Sequence, residues 1–98
     1  MKPDSEIKAT PGLQAIGDPF RIGECGYLWR NGKRFASVIW SRHLNGYDHV
    51  SVRPYGKRQL ENDEISTIVK IFFEPEEVPA VESERSQLTS TVHLWLEV

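Results

Sequence analysis

The chain has 98 residues, 27 % of them charged and 39 % hydrophobic, and a formal net charge of −2. That length makes one domain with one modest core and leaves no second lobe to enclose an elaborate catalytic cleft. The charge excludes an overall basic field for long duplex nucleic acid, the lone Cys25 excludes an internal disulfide or a cysteine zinc site, and no apolar run approaches the roughly 18 residues of a membrane span. With no apolar leader, the expected compartment is the reducing cytoplasm. Cys25 reads as a half-buried thiol in a strand, since nothing beside it marks an activated nucleophile.

Residues 1–18 read as an N-terminal arm and 19–98 as a single α+β domain. In the arm, Pro3, Pro11, Gly12, Gly17, Asp18 and Pro19 break any regular pattern. Leu13 and Ile16 are the residues that can pin it to the body. From Phe20 the pattern becomes strand-like. Tyr27-Leu28-Trp29-Arg30 runs into Asn31-Gly32 and then into Lys33 to Trp40. Asn-Gly tolerates the positive φ of a type I′ turn, so it is a hairpin signal. A second Asn-Gly, Asn45-Gly46, leads into Tyr47-Asp48-His49-Val50-Ser51-Val52-Arg53. Two hairpins make a three-stranded meander.

Two-residue turns set the register. Arg30 then faces Lys33, Trp29 faces Arg34 and Leu28 faces Phe35. Across the second turn, Leu44 faces Tyr47, His43 faces Asp48, Arg42 faces His49, Trp40 faces Ser51 and Ile39 faces Val52. Opposed residues share a face. One face therefore collects Leu28, Phe35, Ser37, Ile39, Ser41, Val50 and Val52. The other collects Tyr27, Trp29, Arg34, Ala36, Val38, Trp40, Arg42, His49, Ser51 and Arg53.

Ile65, Ile68, Val69 and Phe72 fall on one helical stripe, and Glu61, Asp63 and Glu64 crowd its first turn, where carboxylates suit the helix dipole. Pro75 stops the helix, which spans about 60–73. Its stripe belongs on the Phe35/Ile39/Val50/Val52 face. Residues 78–84 alternate as a short strand that Pro79 confines to an edge. Glu84 to Ser90 is a polar loop, and Thr91 to Val98 is a strand with Val92, Leu94, Leu96 and Val98 inward. The expected fold is α+β: a five-stranded antiparallel sheet, β-β-β-α-β-β, with one helix packed on one face.

The uncovered face then carries Tyr27, Trp29, Trp40, Arg42, His49, Ser51, Arg53, His93 and Trp95, the candidate binding residues. An apolar patch of that size calls for a cover. A homodimer is the commonest explanation, and aromatic and arginine residues suit interface centres. A protein partner or a small anionic nucleotide, stacked on the rings and held by arginines, is the sharper alternative. In the opposite arrangement, with the register off by one, these aromatics are the core beneath the helix. His49 beside Arg42 is expected neutral at pH 7.

His49 and Ser51 on one strand face also suit acid–base work on a phosphate. His49-Val50-Ser51-Val52 resembles one half of the twin motif of the two-histidine phosphoesterases, which act on cyclic or 2′,3′ phosphates. The candidate second half is His93-Leu94-Trp95-Leu96, with Trp95 where that family has a hydroxyl. The resemblance implies His49, Ser51 and His93 as alternative catalytic residues. A metal site from His43, Asp48, His49 and His93 is geometrically awkward. Asp48 is expected to pair with His43 or Arg42 near the turn. No metal and no cofactor is expected. The acidic run Glu74, Glu76, Glu77, Glu82 and Glu84 reads as a solvated edge.

Asp48-His49-Val50-Ser51-Val52, Phe72-Phe73-Glu74-Pro75-Glu76-Glu77 and Val92-His93-Leu94-Trp95, in that order, resemble a family of short uncharacterised bacterial and phage proteins. That family has an HVSV strand, an acidic-led helix ending in two aromatics before a Pro-Glu-Glu-like turn, and a terminal HLW. This chain departs from it at Glu61-Asn62 and across Arg85 to Thr91. The resemblance brings no established activity; it implies a phage or prophage accessory protein in the host cytoplasm. Three functions are thus in view: a non-enzymatic binding protein, a phosphoesterase, and a structural phage component.

Overall fold

The computed structural model describes residues 1–8, 20–23 and 26–98. Leu13, Ile16 and Cys25 lie outside the described residues. Among the described residues, six antiparallel strands form one sheet: β1 (Phe20–Ile22), β2 (Leu28–Arg30), β3 (Lys33–Leu44), β4 (Tyr47–Pro54), β5 (Glu82–Arg85) and β6 (Val92–Glu97). Their spatial order is β1-β2-β3-β4-β6-β5. A single turn, α1 (Asp4–Ile7), precedes them, and the main helix α2 (Asn62–Phe72) connects β4 to β5. The α+β class and the antiparallel sheet match expectation, but the sheet has six strands instead of five. The addition is β1, three residues that bury Phe20 and Ile22 at the edge beyond β2. Three residues are too few for alternation to declare a strand.

The acidic stretch also divides differently. Val78–Ala80 is a 3₁₀ turn with Pro79 inside it, and β5 begins only at Glu82. A fixed φ and a missing N–H suit proline to the first turn of a helix better than to a ladder.

Both Asn-Gly turns form as expected. Asn31 and Asn45 stand at φ 51° and 52°, and Gly32 and Gly46 at 79° and 85°, the left-handed pair of a type I′ turn. Close to the turns, Arg30 faces Lys33, Trp29 faces Arg34 and Leu44 faces Tyr47. Farther out a bulge intervenes in each hairpin. Leu28 pairs with Ala36, not Phe35. Beyond Leu44, the next pair is Ser41 with His49, so Arg42 and His43 together oppose Asp48. His43 has φ 54°.

That extra residue turns the upper part of β3 over. The pairs are Trp40 with Val50, Ile39 with Ser51 and Val38 with Val52, where the unbroken ladder has Trp40 with Ser51, Ile39 with Val52 and Arg42 with His49. Ala36 and Val38 are buried, and Trp40 packs against Phe72 of α2 with ring centroids 5.4 Å apart. Ile39, Ser37 and Ser41 lie on the other face. The physical reason is hydroxyl burial. An unbroken ladder would put Ser37 and Ser41 beneath the helix without partners, a desolvation cost that Ala36 and Val38 do not carry. Asp48 completes the bulge: its Oδ1 accepts the His43 N–H at 3.0 Å.

The helix lies on the Val50/Val52 face expected for it, but Ile39, expected beneath it, is on the other face and Val38 and Trp40 take its place. Ile65, Ile68, Val69 and Phe72 join Val50, Val52, Val92, Leu94 and Leu96 in one buried cluster. Glu61 and Glu64 form a reciprocal capping box at its start. Glu64 is buried and accepts from Arg30 at 2.7 Å and from Arg58.

The first eight residues lie on the helix side. Ile7 is buried, Lys2 N–H donates to the Phe72 carbonyl at 2.8 Å, and the Met1 ammonium meets Asp48 Oδ2 at 3.1 Å and Glu77 Oε2 at 2.8 Å.

Candidate functional site

β4 and β6 pair in register, His49 with Trp95 and Ser51 with His93. Side chains alternate across a strand, so burying Val50, Val52, Leu94 and Leu96 forces Tyr47, His49, Ser51, Arg53, His93 and Trp95 onto the opposite face. Ile39 joins them from β3, opposite Ser51.

The centre of this face is a block of three rings. The Trp95 indole stacks on His49 with centroids 3.9 Å apart and planes within 23°. His49 Nε2 lies 2.9 Å from His93 Nδ1, with the two imidazoles within 16° of parallel. One nitrogen donates and the other accepts, so the pair shares a single hydrogen. Tyr47 sits edge-on to Trp95 at 5.9 Å. Burial, and then the neighbouring His93 charge, hold the His49 pKa below the ordinary histidine value. The neutral ring was expected; its causes are burial and then His93, not Arg42, because the bulge puts Ser41 opposite His49.

The block is rimmed by exposed groups. Ile39 is 71 % exposed and Tyr47 41 %. Glu82 stands across from Trp95 and Glu84 across from His93 on the edge strand, while Arg53 is exposed where β4 ends.

The sequence-derived candidates thus separate into three places. His49, Ser51, Arg53, His93 and Trp95 come together. Tyr27 and Trp29 form a second aromatic group with Tyr55, under the Arg34 guanidinium, which lies 4.2 Å from the Tyr27 centroid and 5.9 Å from that of Trp29. The Trp29 indole nitrogen is buried and has no hydrogen-bond acceptor among the described residues.

Trp40 and Arg42 are corrections. Both belong to the helix side, turned there by the bulge. Trp40 Nε1 donates to Asp4 Oδ1 at 3.1 Å, and Arg42 Nη2 donates to the Lys2 carbonyl at 2.7 Å and to Asp4. They anchor the N-terminal segment instead of facing a ligand. Asp48 pairs with the His43 backbone and the amino terminus, not with the His43 or Arg42 side chain. Among the described residues, no three His, Cys, Asp or Glu side chains converge on a metal position.

Two members of the site escaped the sequence reading. Tyr47 is legible from the same alternation that marks His49 and Ser51. Ile39 is not, because its face depends on the bulge. No protein-family model, no curated protein and no solved structure matches this chain, so its function rests on the site's own residues.

Proposed function

We propose that this chain is a small non-enzymatic binding protein whose open sheet face is covered by a second copy of itself. The observation that carries this reading is Ile39, 71 % exposed in the middle of a long strand beside the Trp95–His49–His93 block. A β-branched residue standing bare on the same face as a tyrosine, a tryptophan and two imidazoles has the composition of an interface centre. A charged rim of Glu82, Glu84 and Arg53 surrounds it, as interfaces prefer. A two-fold interface needs only one self-complementary patch. The resemblance to short phage proteins adds the proposal of a phage or prophage accessory role in a host cytoplasm.

Light scattering tests it. The wild-type chain is expected to run as a dimer, and Ile39→Lys as a folded monomer, its dimer affinity lowered by more than about tenfold, the effect of a charge placed in an interface centre. A wild-type monomer at all accessible concentrations would remove the homodimer and leave a different protein, or a small anionic nucleotide, as the occupant of the face.

The hydrogen-bonded histidines favour a second reading, the two-histidine phosphoesterase. His49 and His93 then act as acid and base, and Ser51 holds a phosphate oxygen. At 2.9 Å the two nitrogens leave no space between them for a phosphate, so the rings would have to part before binding. No turnover of 2′,3′-cyclic AMP is expected. Turnover by the wild type that disappears in a folded His49→Ala variant would replace the binding reading with the enzymatic one.

A further inference from the structure

We infer that the loop end of the sheet holds an oxyanion site, one that takes the phosphate of a phosphorylated small molecule. β4 leaves the sheet at Pro54, β5 leaves at Arg85 and β6 enters at Val92, and Val52, Val92 and Arg85 are neighbours across the three strands. The loop from Tyr55 to Glu61 and the loop from Ser86 to Thr91 therefore flank one another. Between them lies a cavity of ≈ 350 Å³ lined by Arg53, Lys57, Gln59, Gln87 and Ser90, among others. That size falls at the small end of small-molecule sites.

The charges of this cavity are unbalanced. The ion pairs among the described residues use the amino terminus, Arg30, Arg42 and Arg58 as cations. Arg53 and Lys57 take part in none of them, and the lining contains no aspartate or glutamate. Arg58, adjacent to Lys57, is by contrast tied to Glu64. A chain of net charge −2 thus concentrates two unpaired cations in one concavity. The amides of Gln59 and Gln87 and the Ser90 hydroxyl add uncharged donors. A guanidinium presents a fork that matches two phosphate oxygens, and an ammonium adds a point charge.

The walls are preorganised. Gly56 takes φ 75°, which reverses the first loop just after Pro54. The second loop is closed by Ser86 N–H donating to the Thr91 carbonyl at 2.9 Å, and the Ser86 hydroxyl accepts from the N–H groups of Leu88 and Thr89. A ligand entering here has little loop ordering to bear. This site does not rest on the homodimer reading, and the failure of either leaves the other standing.

Titration calorimetry of the full chain with inorganic pyrophosphate, AMP and adenosine tests the inference. Pyrophosphate and AMP are expected to bind saturably and adenosine not to bind. Arg53→Gln and Lys57→Gln, both at exposed positions and checked for folding by circular dichroism, should each weaken pyrophosphate by about tenfold or more, the worth of a charge-assisted contact. Lys70→Gln, at an exposed position in the last turn of α2 beside Lys2 and outside this lining, should leave it unchanged. Absence of saturable binding overturns the site. So does adenosine binding as well as AMP, or a Lys70→Gln loss equal to that of Arg53→Gln, which marks diffuse charge attraction.

Discussion

Phe72→Ala is expected to destabilise the chain by about 3–5 kcal/mol, the usual cost of removing a buried phenyl ring, and to lower the melting temperature by roughly 15–30 °C in a domain of this size. Phe72 is 0 % exposed and closes the last turn of α2. Its ring meets Trp40 on β3 and its carbonyl receives the Lys2 N–H, so one side chain sits where helix, sheet and N-terminal segment meet. Little around it can collapse into the space, since the tryptophan is held in place by its bond to Asp4. Urea unfolding at unchanged m measures the loss. Ile39→Ala, read on the monomer, should cost less than about 0.5 kcal/mol, as an exposed position does. The two variants together test the bulge. Without it Ile39 would lie under the helix and Trp40 would face solvent, so an Ile39→Ala loss as large as that of Phe72→Ala would overturn the register.

What the residues disclosed in advance, and what they concealed, follows from this same bulge. The pattern in β4 and β6 is unambiguous. Val50, Val52, Leu94 and Leu96 alternate with His49, Ser51, His93 and Trp95, and only one assignment buries the aliphatic set. The helix stripe and both Asn-Gly turns are equally local signals. β3 is different, because both of its alternations contain apolar residues: Phe35 and Ile39 in one, Ala36, Val38 and Trp40 in the other. Nothing local decides between them. The choice falls to a bulge at Arg42-His43 whose support comes from Asp48 on the next strand, with the segment before α1 as backing. Trp40 and Arg42 were therefore misplaced, while His49, Ser51, His93 and Trp95 were correctly grouped on one face. The cavity at Arg53 and Lys57 was hidden for a related reason, since its walls are two loops brought side by side only by the β4–β6–β5 order.

Asp48→Ala should cost about 2–4 kcal/mol, because it leaves a buried ammonium with one fewer carboxylate and a bulge amide without its acceptor. The side chain is nearly sealed, the residue being 4 % exposed. Burial pushes its carboxyl pKa up, but the His43 N–H and the Met1 ammonium outweigh burial and hold it below the usual aspartate value. Glu77 shows the same balance: burial raises it, and the Met1 ammonium and the Glu74 N–H lower it further. A carboxyl lowered by folding stabilises fully above its unfolded value, about 4, and that contribution fades as pH falls through the folded value. His49, also lowered, behaves in the same sense from a higher start. Its contribution is complete above about 6.5 and fades as pH falls through its lower folded value. The Met1 ammonium runs the other way. Burial lowers it, yet Glu77 and Asp48 raise it overall, so its contribution is complete below about 8 and fades as pH rises through the raised value. Stability measured by urea midpoint against pH should accordingly form a plateau near neutrality. The acid side should fall in two stages, the histidine first and the carboxylates below about pH 4. Asp48→Asn, which keeps the shape and one acceptor but not the charge, should reduce the lower stage and leave the upper one in place. If it flattened the upper stage instead, that loss would belong to Asp48 and not to His49 on the opposite face.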